Sequence, residues 1–349
     1  MASETSTHVF RRGWLLWLVA VLALWSCSRD SGAAGGGESA AKPTQVLRVA
    51  RSKQLTALAV LELRGGLEKK LAPLGFGVEW LDFLAGPQQF EAFNSGALDL
   101  TFTAESPPLF AQAARGPVVY LAATARNGAL VSLVVPPSAN THSIADLKGK
   151  RIGFQKSSIG HYLAIKALEG AGLRIEDVEQ VNLAPPDASA ALTKQSIDAW
   201  FIWEPFVTRA VQTGIGRVLL DGAQLRDTTN FVTTSRSFAE QHPDVLRAYL
   251  EALQAEEDWC AAHKHEVAKL LSPRLAIDVP TLESMHDKTR FGLYPISEQD
   301  RQKQQEVADM WLSHGFLPLK LDVSTGFLPA ERYAALVPAV LAARAQAGR

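Results

Sequence analysis

Cysteine, methionine and net charge are all scarce in these 349 residues, with two cysteines, three methionines and a formal charge of -1, and each scarcity excludes something. The cysteines, Cys27 and Cys260, are too few for the disulfide framework of a small secreted domain. Near-neutral charge without a long basic run removes the electrostatic footprint of a nucleic-acid partner, so any anion recognition is local. There is no Walker loop, no G-x-S-x-G elbow and no H-E-x-x-H helix; no catalytic residue, cofactor or metal is expected, and the chain reads as a non-enzyme. His263-Lys264-His265 reads as a solvent-facing stretch of helix. What remains is globular, with 47% hydrophobic and 20% charged residues, and the length suggests about two compact units.

Long apolar runs are scarce as well. The run from Trp14 to Trp25 follows Arg11-Arg12 and ends at Ser26-Cys27. About a dozen residues fall short of the roughly 20 needed to span a bilayer, so residues 1–27 are expected to be a cleaved export signal. Leu24-Trp25-Ser26-Cys27 resembles a lipobox, which makes Cys27 the expected lipidation site and the membrane, reached through that lipid, a partner. Phe10 to Leu15 also resembles a twin-arginine signal, and both export routes stay open. With Cys27 acylated, Cys260 has no partner in the chain and reads as a packed thiol. Residues 28–44, which include Gly35-Gly36-Gly37, bury too little apolar surface to order themselves and read as a tether. The domain is thus expected to be periplasmic, or at the cell surface, on a lipid anchor.

From Val46 onward short apolar strands alternate with helical patterns, at Leu47–Ala50, Val78–Leu81, Asp99–Phe102, Arg151–Phe154 and Ala199–Ile202, which argues for α/β layers. Residues 97–105 match residues 196–204 at a constant offset, with Asp99, Phe102 and Glu105 facing Asp198, Phe201 and Glu204. Each copy follows a helical segment that begins near a proline, Pro87 or Pro186, and this reads as duplication of an α/β unit. Extended apolar runs at Gly128–Val135 and Phe231–Thr234 suggest two crossings between lobes. The expected division is lobe 1 at 45–130 plus 236–349 and lobe 2 at 131–235. Helical patterns over Pro243–His263, Val279–Arg290, Ser297–His314 and Pro329–Ala345 are expected to complete lobe 1.

Several strand ends carry candidate chemistry. Arg151–Phe154 runs through Gln155-Lys156-Ser157-Ser158 into a helix that begins near His161, and such a junction aims backbone amides and a helix dipole at one point. Ser158 equally fits a helix cap. Ser106 fits an N-cap with Pro107 at the first helical position. Trp203-Glu204-Pro205-Phe206 repeats that arrangement, and Ala50-Arg51-Ser52-Lys53 ends the first strand. Glu105 and Glu204 read either as a carboxylate pair or as acids favoured by helix dipoles. Ligands sit at the carboxyl edges of strands in open α/β sheets, so these ends suggest one cleft.

Residues 46–319 resemble the aliphatic sulfonate- and taurine-binding periplasmic proteins of ABC importers. The resemblance lies in Gly66–Leu71, Val78–Gln88, Pro107–Ala114, Asp146–Lys156 and Asp198–Phe206, in the family's order. It implies an α/β, two-lobed periplasmic-binding-protein fold of type II, each lobe a mixed sheet flanked by helices, with a two-strand hinge. It also implies a small anionic ligand, an alkanesulfonate or aminosulfonate, delivered to the transmembrane subunits of an ABC permease by a monomer. The ligand-binding candidates are Arg51, Ser52, Glu105, Ser106, Gln155, Ser157, Ser158, His161, Trp203, Glu204 and Arg290. Departures from the family pattern sit at Arg51-Ser52-Lys53, Ala104-Glu105 and Glu204, each altering size or charge near the implied pocket. Two other readings remain: an enzyme on the same fold, related to thiamine-pyrimidine synthesis or chorismate dehydration, and a ligand-sensing surface lipoprotein without a permease.

Overall fold

The computed structural model describes residues 43–346. The expected export signal, Cys27 and nearly all of the tether lie outside them. Among the described residues no helix is long and apolar enough to cross a membrane.

The first lobe opens with β1 (Gln45–Ala50), α1 (Ala57–Arg64), α2 (Gly66–Leu71), β2 (Phe76–Leu81), α3 (Gly86–Asn94), β3 (Leu100–Ala104), α4 (Ser106–Ala113) and β4 (Val118–Thr124). The second lobe contains β5 (Val131–Val135), β6 (Arg151–Phe154), α5 (Ile159–Gly170), β7 (Glu179–Asn182), α6 (Pro185–Thr193), β8 (Ala199–Trp203), α7 (Phe206–Gln212) and β9 (Arg217–Asp221). The chain then returns through β10 (Asn230–Ser235), α8 (Arg236–Gln241), α9 (Pro243–Ala262), α10 (Lys264–Leu275), α11 (Val279–Lys288) and β11 (Leu293–Pro295). It closes with α12 (Glu298–Ser313), α13 (Ala330–Leu336) and α14 (Ala339–Ala342).

The sheets run β11-β4-β10-β3-β1-β2 and β7-β6-β8-β5-β9. With the short β11 set aside, they share one order, and in each an antiparallel strand from across the hinge sits between the third strand and the last. β10 holds that place in the first sheet and β5 in the second. The register of each incoming strand slips once, between Val232 and Thr233 and between Leu133 and Val134. Asn230–Ser235 therefore belongs to the first sheet, whereas the boundary expected from sequence ran to residue 235. An extended apolar run looks the same whichever sheet it joins; only its ladder partners decide.

The crossings are residues 125–130 and 222–229, laid side by side. Asn127 N donates to the Thr228 carbonyl at 2.8 Å, and Thr228 Oγ1 donates to the Asn127 carbonyl at 3.0 Å. Close approach requires glycine here: a Cβ on Gly128 would stand 2.4 Å from the Arg226 carbonyl oxygen, and one on Gly222 2.5 Å from that of Val131.

One apolar core fills the outer face of the first lobe, where Leu246, Tyr249, Leu250 and Leu253 of α9 pack beside α1 and α2. A second core runs continuously from Leu109 and Tyr120 of the first lobe to Leu133 and Leu163 of the second. Helix α12 joins it, because Trp311 meets Phe110 edge-on at 5.1 Å and His161 at 4.8 Å. The last helices are expected to complete the first lobe; α12 packs on α4 there and also touches the second lobe through His161. Its apolar stripe is matched from both sides, which sequence spacing does not reveal. The helix expected over Pro329–Ala345 is interrupted at Val337-Pro338, where proline cannot donate a helical bond.

Candidate functional site

A cavity of about 350 Å³ lies between the sheets, bounded by strand ends and helix starts of both lobes and by the hinge. In the first lobe the end of β1 leads into α1, whose Thr56 side chain caps the helix by accepting from Ala59 N at 3.2 Å. In the second, Ser158 caps α5 by accepting from Gly160 N at 3.1 Å and His161 N at 3.4 Å. Both caps border the cavity. The first amides of a helix lack intrahelical partners and carry the positive end of its dipole, so two converging helix starts make an environment suited to an anion.

Six of the eleven residues expected from sequence line the cavity: Arg51, Ser52, Ser158, Trp203, Glu204 and Arg290. Arg51 is braced by Glu62 at 2.7 Å and Asp82 at 3.1 Å. Ser52 Oγ accepts from Thr56 Oγ1 at 2.8 Å, tying the strand end to the α1 cap. Glu204 directly follows β8; its Oε2 accepts from Thr208 N at 3.0 Å, and burial raises its carboxyl pKa. Arg290, largely exposed, donates to the Arg126 carbonyl at 3.2 Å.

The other five sit outside the lining. Glu105 and Ser106 turn behind the first sheet. Glu105 itself holds the capping position of α4 with helical dihedrals, so Ser106 is not the expected cap; the prolines at 107 and 108 also remove two N–H groups a cap would serve. The Ser106 hydroxyl is buried without a hydrogen-bond partner. Glu105 pairs with Arg226 at 3.0 Å, and Gln304 Nε2 donates to its carbonyl at 2.7 Å. Burial pushes the Glu105 carboxyl up to about 7, against the pull of Arg226. Gln155 and Ser157 occupy the turn before α5, where Ser157 takes a left-handed φ of 65° and its N–H donates to His161 Nδ1 at 3.3 Å. The His161 ring stacks on Phe154 at 4.4 Å, and burial depresses its pKa to about 3, so it stays neutral.

Sequence reasoning passed over Phe83, Asn127, Arg209 and Glu257, all of which line the cavity. Glu257 carried a signal: on α9 it follows Leu250 and Leu253 at helical spacing, so it is a charge on the buried stripe. Its Oε2 accepts from Gly292 N at 2.8 Å, and burial pushes the carboxyl up to about 7. Arg209 of α7 reaches across the cleft to the Leu275 carbonyl at the end of α10. Cys260 is a fully buried thiol whose pKa is pushed up by burial. No group of three or more His, Cys, Asp or Glu side chains that could hold a metal occurs among the described residues.

A cleft between two sheets of matching order, joined by two crossings and flanked by helix starts, defines a two-lobed ligand-binding protein of the periplasmic-binding-protein type. The chain belongs to the NMT1-like family, whose model matches residues 47–272, and within it to the group that holds the sulfonate-binding proteins. A protein of Escherichia coli (strain K12) named for aliphatic sulfonate binding is 30% identical over 280 residues, which covers 80% of this chain and 87% of that protein. The alkanesulfonate-binding protein SsuA from Xanthomonas axonopodis pv. citri, solved with MOPS, superposes with a TM-score of 0.79 at 30% identity, over 83% of this chain and all of that one. The desulfurization enzyme DSZB shares the fold at 18% identity and a TM-score of 0.61, over 84% of this chain and 99% of that one. That likeness extends to the fold alone.

Proposed function

We propose that this chain is the substrate-binding lipoprotein of an ABC importer, capturing a small sulfonate-type anion between its lobes and passing it to a permease. The observation that carries the reading is the convergence of two capped helix starts, at Thr56 and Ser158, on one interlobe cavity. Amides and hydroxyls there replace the water around an anionic head, and both lobes gain contacts only when they close on it. No protein group changes its bonds, so binding and release suffice. Export and lipid anchoring rest on residues 11–27 and are tested by lipid labelling in cells, which Cys27→Ser abolishes if the anchor is there.

The deciding experiment is a thermal-shift panel on the domain beginning near Thr44, with alkanesulfonates, taurine, sulfate, nitrate and thiamine pyrimidines. A sulfonate at a hundredfold excess over its Kd is expected to add about 2.7 kcal/mol of stability. Silence from every sulfonate overturns the ligand class. Replacing Ser157 and Ser158 by alanine is expected to weaken whichever anion binds; unchanged affinity removes that turn from the site.

A further inference from the structure

Six acidic residues are buried among the described residues: Asp99, Glu105, Glu204, Glu256, Glu257 and Asp300. Four have a cationic partner, since Asp99 pairs with Arg48, Glu105 with Arg226, Glu256 with Arg64 and Asp300 with Arg126, all within 3.0 Å. The two that form no ion pair, Glu204 and Glu257, are the two acids that line the cleft. Each accepts one backbone N–H, from Thr208 and Gly292 respectively. The cationic side chains of the cleft do not serve them: Arg51 and Lys53 are held by Glu62 and Asp82, Arg209 by the Leu275 carbonyl, and Arg290 by the Arg126 carbonyl. A carboxylate taken out of water without an ion pair is costly, and among the buried acids of the described residues this occurs only at the two that line the cleft.

The rest of the lining agrees with an organic ligand that carries a cation. Phe83, Phe102, Trp203, Phe206 and Phe291 bring aromatic rings to the wall, and such rings attract an ammonium. About 350 Å³ also exceeds what an inorganic anion fills and suits a ligand with an organic body.

We propose that this cleft selects a ligand carrying a positively charged nitrogen apart from its anionic head, and that Glu257, on the first lobe, is the residue that sets this preference. The proposal rests on the anion-binding reading above and narrows it to zwitterions. Helix starts at Thr56 and Ser158 serve the anionic end, and the unpaired acids serve the cationic end. A sulfonate without the nitrogen still reaches the helix starts but leaves the two unpaired acids without a cationic partner.

Isothermal titration of the domain with propanesulfonate, 3-hydroxypropanesulfonate and 3-aminopropanesulfonate tests this at fixed chain length. The amine is expected to bind at least about tenfold tighter than the other two, the size of one charge-assisted hydrogen bond. Glu257→Gln is expected to remove most of that advantage and leave propanesulfonate bound no more weakly, a ratio that a merely structural role would not move. Equal affinity of the three ligands for the unaltered protein, or an undiminished preference in Glu257→Gln, overturns the proposal while the importer reading stands. No binding by any of them overturns this proposal and counts against the sulfonate ligand class on which it rests. Should Glu257→Gln fail to fold, the three-ligand comparison decides the preference for a cation, and Glu257→Asp, which draws the carboxylate back, is expected to shrink the same ratio; an unchanged ratio overturns the role of Glu257.

Discussion

Residues 97–105 and 196–204 match in sequence and hold equivalent places in the two sheets, yet they end in different circumstances. Their strands begin alike. Asp99 accepts from Arg48 N, Nε and Nη2 at 2.8, 3.0 and 2.7 Å, and Asp198 accepts from the same three donors of Arg151 at 2.8, 3.0 and 3.0 Å. Each clamp ties the unit's strand to its parallel neighbour, β3 to β1 and β8 to β6. Six residues later, at Glu105 and Glu204, the likeness ends. Glu105 is sealed beneath Arg226, Gln304 and the second core, whereas Glu204 faces the cleft without a cation. The same local sequence delivers an acid to a strand end in both lobes; what packs behind that end decides whether the acid is structural or open to a ligand.

The strongest way to break this contrast is to strip each acid of its circumstances. Arg226→Ala leaves Glu105 buried without its counter-charge and is expected to cost about 3–5 kcal/mol in denaturant unfolding. Glu204→Gln, at the matching position, is expected to cost under about 1 kcal/mol. Similar losses from the two changes would erase the distinction.

Next in size is the pH dependence that separates cleft acids from clamp acids. Glu257 has its folded pKa raised from 4.5 to about 7, so the folded state holds that proton longer than the unfolded chain. Its contribution is full below the unfolded value and is lost as pH rises through about 7, amounting to at most ~3 kcal/mol. Glu257→Gln is expected to flatten that slope in chemical unfolding followed across pH. Asp198 has the opposite sign: the Arg151 hydrogen bonds hold its pKa below the usual value, so its contribution is present above that value and is lost on acidification.

The two clamps offer a finer comparison. Asp99→Asn is expected to cost about 1.5–3 kcal/mol as its charged hydrogen bonds weaken. Asp198→Asn is expected to cost less, because its side chain is 31% exposed against 11% for Asp99. A larger loss at Asp198 would mean that burial does not set the strength of the clamp. Smallest are the caps that face each other across the cleft: Thr56→Ala and Ser158→Ala are each expected to cost about 1 kcal/mol of stability. A difference in ligand affinity between those two variants would show which lobe holds the anion more firmly.

Much of this was legible in the residues themselves. Alternating strands and helices, the matching segments that end in Glu105 and Glu204, the proline-started helices α3 and α6 and the Ser158 cap are all local events. They are governed by side-chain period, ring geometry and reach along the chain, so sequence carries them directly. It also carried the resemblance to sulfonate-binding proteins. The placement of residues far apart in the chain was decided only when they packed. Tertiary structure put β10 in the first sheet, laid α12 against both lobes, and turned Glu105, Ser106 and His161 away from the cleft. It also brought Glu257 of a C-terminal helix to the same cavity as Glu204. A charge on a helix stripe can be read from spacing, but whether it meets a cation, a core or an open cleft depends on which distant surface covers it.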